Sequence, residues 1–207
     1  MLASAVAFDE TTQSLPLGRV MQVYEDVGGQ AVLADVRAND ELFVPHDKAT
    51  LNEGYSHSAF WLKMDLRYQP KHPEVHRTWL LELAYPPLDH IELYLADTAG
   101  NYRLVQRTGD ALPFDSRQIK ENNYLFELNF SPGQQQTVYL RLASQGSIQA
   151  PLTLWSAQSY LEAQPERIYI LGLIYGVLLG MLVYNLFIYL SVRDTSYLYY
   201  IFYIGSF

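Results

Sequence analysis

From about residue 19 to residue 156, apolar and polar residues alternate with a period of two, the mark of half-buried strands. Phe60, Leu62, Met64 and Leu66 fall on one side of such a strand, with Trp61, Lys63, Asp65 and Arg67 on the other. Trp79, Leu81 and Leu83 repeat the pattern against Leu80 and Glu82, and Ile91, Leu93 and Leu95 against His90, Glu92 and Tyr94. Tyr124, Phe126, Leu128 and Phe130 do the same, as do Val138, Leu140 and Leu142. "LADTAGNYRLVQ" reads as a hairpin turning at Ala99-Gly100-Asn101, and Pro132-Gly133 marks another turn. With "RVMQVYED" and "AVLADVRA" at the start and "QAPLTLWS" at the end, about nine strands are expected. A short helical turn is expected near residues 38–42, and no long amphipathic helix precedes "SAQSYLEAQPER". Many short strands with little helix predict a mainly β fold, a jelly-roll β-sandwich.

The alternation stops abruptly near the end. Residues 168–192 carry no formal charge and are bracketed by Glu166-Arg167 and Arg193-Asp194. As a helix this stretch spans about 37 Å, more than the ~30 Å hydrocarbon layer of a bilayer. It reads as a transmembrane helix. Gly172, Gly176 and Gly180 stack on one face of it and would let a second helix approach closely. Asn185 places an amide in the apolar layer, which favours a bonded neighbour over a lone anchor. A short polar turn then leads into "YLYYIFYIGSF", residues 197–207, too short to cross as a helix, so a truncated second span is expected. Residues 157–167 read as a linker whose helical turn ends at Pro165. At the other end, Ala5-Val6-Ala7 has the small-x-small form of a signal-peptidase site. Residues 1–7 are read as a signal-peptide remnant and 8–156 as the sandwich, which puts the sandwich outside the cytoplasm and Arg193 inside.

Composition narrows the chemistry. Fourteen basic against 22 acidic residues give a formal charge of −8, which argues against nucleic acid as a partner. The absence of cysteine removes disulfides, thiolate catalysis and Cys-ligated zinc. Histidines 46, 57, 72, 76 and 90 show no metal-binding spacing. Ser56-His57-Ser58 lacks an ordered catalytic partner, and Glu82 with Glu92 is a poor acid pair for glycoside cleavage. The fragment is expected not to be an enzyme.

A binding surface is the better reading. Trp61, Lys63, Glu82, Glu92, Tyr94, Tyr139 and Arg141 lie on the non-core sides of their strands. If those strands share a sheet, aromatic and charged groups line one face suited to sugar rings. The competing reading is that a sheet edge or a dimer partner covers them. In "GDALPFDSR", Arg117 either pins its loop through an acid or touches a ligand. Calcium is the alternative ligand: Asp89 and Asp97 flank one strand and Asn101 sits in the following turn, offering the hard oxygens the ion needs. No cofactor is required by any motif.

Taken in order, "GYSHSAFWLKMDL", "WLLELAYPPLDHIELYL", "GDALPFDSRQI" and "VYLRLAS" resemble the type-2 extracellular domain of the 7TMR-DISM receptors. "YGVLLGMLVYNLFIYLSVRDTSYLYY" is similar to the start of that family's seven-helix region. The resemblance implies a bacterial inner-membrane receptor with a periplasmic, carbohydrate-module-like sensor and an output module, commonly a histidine kinase or diguanylate cyclase, beyond residue 207. It implies as partners a small periplasmic ligand, carbohydrate or calcium, and the membrane, with a homodimer expected. The alternative is a domain that dimerises the receptor and takes no small ligand.

Overall fold

The computed structural model describes residues 5–72, 78–97 and 99–206, with the side chains of 164–168 outside the description. The beginning of the expected signal remnant (residues 1–4) and His76 lie outside the described residues. The strands are β1 (Val6–Phe8), β2 (Ser14–Pro16), β3 (Gln22–Asp26), β4 (Val44–Pro45), β5 (Leu51–Tyr55), β6 (Ala59–Tyr68), β7 (Trp79–Leu83), β8 (His90–Ala96), β9 (Tyr102–Thr108), β10 (Tyr124–Leu128), β11 (Gln135–Ala143), β12 (Ser147–Ala150) and β13 (Leu152–Ser156). The helices are α1 (Leu33–Ala38), α2 (Ala157–Val192) and α3 (Thr195–Gly205).

The larger sheet runs β4-β3-β6-β11-β8-β9, with β1 beside β6 in parallel, and the smaller runs β10-β7-β13-β2. A two-stranded sheet, β12-β5, adds to these. β6 organises the larger sheet: β11 pairs one side of it from Phe60 to Arg67, and the other side is shared by β3 and β1. Its even residues turn inward as the alternation predicts, with Leu62, Met64 and Leu66 at 0 % accessibility. They meet Trp79, Leu81 and Leu83 of β7 and Phe126 and Leu128 of β10 in one continuous core. Each such aliphatic side chain taken from water contributes roughly 1.5–3 kcal/mol, so facing rows hold the two sheets together as a jelly-roll sandwich.

"AVLADVRA" is not a strand. Its last six residues are α1, capped where the Asp35 carboxylate accepts the Val32 N–H at 3.2 Å. Asn39 then leads into a 3-10 turn, Asp40–Leu42, where the short helical element was expected. The run was ambiguous because Leu33 and Val36 fit a helix stripe as well as Val32 and Ala34 fit a strand. Val6 and Ala7, assigned to the leader remnant, pair with Leu66 and Arg67.

Residues through Tyr160 form one compact unit and 161–207 a second. In the first unit, the opening turn of α2 is capped by Ser156, whose hydroxyl accepts the Ser159 N–H at 3.2 Å. Tyr160 packs there against Leu80 and Leu125 on the outer face of the smaller sheet. α2 continues through the position of Pro165, where a break was expected. A proline removes one backbone donor, and the helical ladder on either side is cooperative enough to carry on. In the second unit, Tyr169–Val192 is the one stretch among the described residues long and apolar enough to span a membrane, with mean hydropathy 2.1. Arg193 ends α2 in the left-handed region at φ 56°, and the Asp194 carboxylate accepts the Ser196 N–H at 2.9 Å to start α3.

Candidate functional site

Strand register places two rows of side chains across the outer face of the larger sheet. Tyr24, Trp61, Arg141, Glu92 and Arg107 line up on β3, β6, β11, β8 and β9. Gln22, Lys63, Tyr139, Tyr94 and Leu104 form the adjacent row. Directly opposed residues in antiparallel strands share a face, so the register gathers Trp61, Lys63, Tyr94, Tyr139 and Arg141 as the shared-sheet condition requires.

The face is not open. Trp61 is 0 % and Tyr139 4 % accessible. What covers them is neither a sheet edge nor a second copy but the chain's own segment 27–43, which lays Val36 and Phe43 on the two rings. Arg141 Nη2 donates to Gly29 O at 2.8 Å, Lys63 Nζ lies 2.6 Å from the Asp40 carboxylate, and the Arg37 guanidinium stacks 4.4 Å over Tyr102. Underneath, Trp61 stands 5.5 Å from Tyr94 and Tyr102 stands edge-on 5.3 Å from Tyr139. Trp61 Nε1 has no hydrogen-bond partner among the described residues. The result is a second, aromatic core on the far side of the sheet. Val36, Phe43, Tyr24 and Tyr102 were not singled out by the sequence reading; the three-residue spacing of Leu33 and Val36 was the signal available.

Burial, then the Glu92 carboxylate that accepts its O–H at 2.7 Å, push the Tyr94 phenol up from 10.0 to about 12. Burial raises Tyr139 in the same direction. A phenol held neutral in the fold stabilises it fully below its unfolded value, and that stability is lost as pH rises through the folded value. Thermal stability is therefore expected to hold up to about pH 10 and fall between 10 and 12, with a shallower fall in Tyr94→Phe. An unchanged slope in that variant, measured by melting at stepped pH, would remove Tyr94 from the account.

Glu82 and Arg117 do not join this face. Glu82 is on β7, in the smaller sheet, where it accepts from Asn123 Nδ2 at 2.7 Å and Trp155 Nε1 at 2.8 Å. The alternation gives its parity correctly, but parity says nothing about which sheet a strand joins. Arg117 lies 4.3 Å over the Tyr124 ring and donates to the carbonyls of Glu121 and Asn122 at 2.6 Å each. It pins its loop through carbonyls, while the nearby Asp115 pairs with Lys120.

Asp89 and Asp97 sit at opposite ends of β8, about 25 Å apart for that many extended residues. One calcium ion holds its oxygens at about 2.5 Å, so the two cannot share it. Each carboxylate instead closes a turn: Asp89 accepts from Ser144 Oγ and Gln145 N, and Asp97 from Ala99 N and Asn101 N. Among the described residues, no three His, Asp or Glu side chains gather to hold a metal. In the membrane segment, Asn185 Nδ2 donates to Met181 O one turn back at 2.7 Å, satisfying one donor inside its own helix. Gly172, Gly176 and Gly180 meet nothing within 4 Å of an added Cβ among the described residues.

The comparisons agree with this order of parts. The profile of the 7TMR-DISM extracellular 2 family matches residues 18–156, and that of the family's membrane region, 7TM diverse intracellular signalling, matches residues 167–207. No curated protein matches. Among solved structures, a β-glucosidase from Kluyveromyces marxianus in complex with glucose is similar over 66% of this chain at 12% identity and a TM-score of 0.35. The matched chain spans 15% of that enzyme's length. TmCBM61 in complex with β-1,4-galactotriose is similar over 66% of this chain and 88% of its own, at 16% identity and a TM-score of 0.33. Carbohydrate-binding modules of the β-sandwich superfamily show 12% identity over 70% of this chain and 52% of theirs, with a TM-score of 0.27. An extracellular sensor domain of mainly β structure thus runs directly into a membrane-spanning helix, and the chain belongs to the 7TMR-DISM family of receptors.

Proposed function

We propose that residues 8–156 are the periplasmic ligand-sensing domain of a bacterial inner-membrane receptor and that ligand binding there controls a cytoplasmic output module, a histidine kinase or a diguanylate cyclase. Residues 157–167 act as the link, 168–192 as the first membrane helix and 197–207 as the start of the second. The observation that supports this is the close succession of the two family regions, 18–156 and 167–207, in one chain. A ligand acts on such a receptor only through different affinity for two of its states. No catalytic role is assigned to the sandwich.

Carbohydrate and calcium are the ligand classes to test first. With Trp61 and Tyr139 packed under segment 27–43, a sugar reaches that aromatic face only by displacing the segment. For calcium, Asp97 and Asn101 share one turn and Asp89 lies at the far end of β8, so one ion would be held at one of these turns and not by all three residues. The test is the melting temperature of the 207-residue chain in detergent, freed of metal by chelator, against calcium, magnesium and a panel of oligosaccharides. A ligand that binds the folded form alone adds about 2.7 kcal/mol at a hundred times its Kd, a readable and saturable rise. Silence across the panel, together with concentration-dependent self-association in sedimentation, turns the assignment to a dimerisation domain. β9 ends the larger sheet, and its Leu104 and Val105, 41% and 46% exposed, favour that second reading.

A further inference from the structure

β4 is two residues long and pairs with β3 only at Gln22 and Val23. Beyond that point the outer edge of β3 has no partner strand among the described residues, and a cleft of about 390 Å³ opens between β3, β4 and β5. Its floor is apolar, with Leu51 and Phe60 continuous with the main core, and Val44 and Leu42 stand at its side with more than a third of their surface open. Tyr24 contributes an aromatic ring at the end of the first row of the larger sheet.

The charged groups in this cleft are of one sign. Glu25 and Glu53 line it, and among the described residues no lysine or arginine does. Glu25 accepts from Ser58 Oγ at 2.7 Å and has lone pairs to spare, and Glu53 makes no ion pair among the described residues. His46 is turned to the chain: its Nδ1 lies 2.6 Å from Gly18 O and so carries the proton donated there. The net charge of −8 adds a long-range attraction for cations.

We infer that this cleft is a binding site for a small organic cation, an alkylamine or alkyldiamine, with ammonium at Glu53 and Glu25 and its carbon chain on the apolar floor. A bare calcium ion fits poorly, because it needs six to eight oxygens and the walls here are mostly carbon. A neutral polyol leaves two carboxylates without compensating charge. An alkylammonium satisfies both surfaces at once, and the Tyr24 ring adds a face that attracts cations. This inference rests on the ligand-sensing reading and gives it a specific ligand class.

The experiment is isothermal titration of 1,5-diaminopentane into the 207-residue chain in detergent, with pentane-1,5-diol as the neutral analogue of the same length. The diamine is expected to bind saturably, at least about tenfold more tightly than the diol, with affinity falling as salt rises. Glu53→Gln should weaken it by about tenfold with the melting temperature unchanged, since Glu53 is exposed on β5. Val44→Lys, a second exposed position at the mouth, should weaken binding by setting a like charge beside the diamine. No binding of the diamine, or equal affinity in Glu53→Gln and wild type, overturns the site. If the diamine fails while a ligand of the oligosaccharide or calcium panel raises the melting temperature, the cation site falls and the sensing function stands. If the diamine and the whole panel are silent, both fall.

Discussion

Replacing Trp61 by alanine is expected to destabilise the sandwich by about 3–5 kcal/mol, although the residue lies on the outer face of its sheet. The indole is fully buried between Tyr94, Arg141 and the overlying Val36 and Phe43. Truncation leaves a cavity that the β6 backbone, fixed by β3 and β11 on either side, cannot close. Part of the loss is offset, because the unpartnered Nε1–H goes with the ring. Trp61→Phe should therefore retain most of the stability, losing ring area but also an unsatisfied donor. The measurement is denaturant unfolding of the chain in detergent, followed by the fluorescence of Trp79 and Trp155, which remain as reporters. A cost within about 0.5 kcal/mol, the range of open surface positions, would show that segment 27–43 does not seat on Trp61 in solution. The consequence for function is direct: loss of ligand binding in Trp61→Ala cannot be read as loss of a contact until the stability of the variant is known.

The second large effect is expected at Gly109, which follows β9 and is buried. Its φ is 149°, and an added Cβ would stand 1.9 Å from Asp89 O and 2.9 Å from His90 N. Both are backbone atoms at the entry of β8, held by the Asp110 N–H to Leu88 O bond of 2.7 Å. Neither can swing aside as a side-chain end would. Gly109→Ala then carries backbone strain of about 1–3 kcal/mol and a similar cost for forcing the turn from β8, about 3 kcal/mol or more in sum. Because the Asp89 carboxylate closes the 144–145 turn, the disturbance should reach a second loop. Hydrogen exchange should show lost protection at Asp110 and Gln145 together. Gly28→Ala is the control: its added Cβ meets only Asp26 Oδ1, at an ordinary 3.8 Å. Equal melting temperatures for Gly109→Ala and that control would sink the close-approach argument.

How far the sequence reaches can be followed residue by residue. The inward faces of β6, β7, β8, β10 and β11 were legible because period two is a local property of a strand, set by the pleat alone. The membrane helix was legible because length and apolarity are local too, and the family could be named from the order of its motifs. Three features were not legible. Glu82 has the parity of Trp61 but joins the other sheet, because strand pairing is made with residues distant in sequence. "AVLADVRA" fits two periods, and the choice of helix was made by the Asp35 cap and by the aromatic face onto which α1 packs. The alternation also showed that Trp61 and Tyr139 point away from the main core without showing what lies over them. The sequence by itself determined which side chains share a face. Only the tertiary structure decided that the face is closed and that the open cleft lies at the end of β4, since covering a surface and leaving a sheet edge unpaired both depend on segments brought together from far apart.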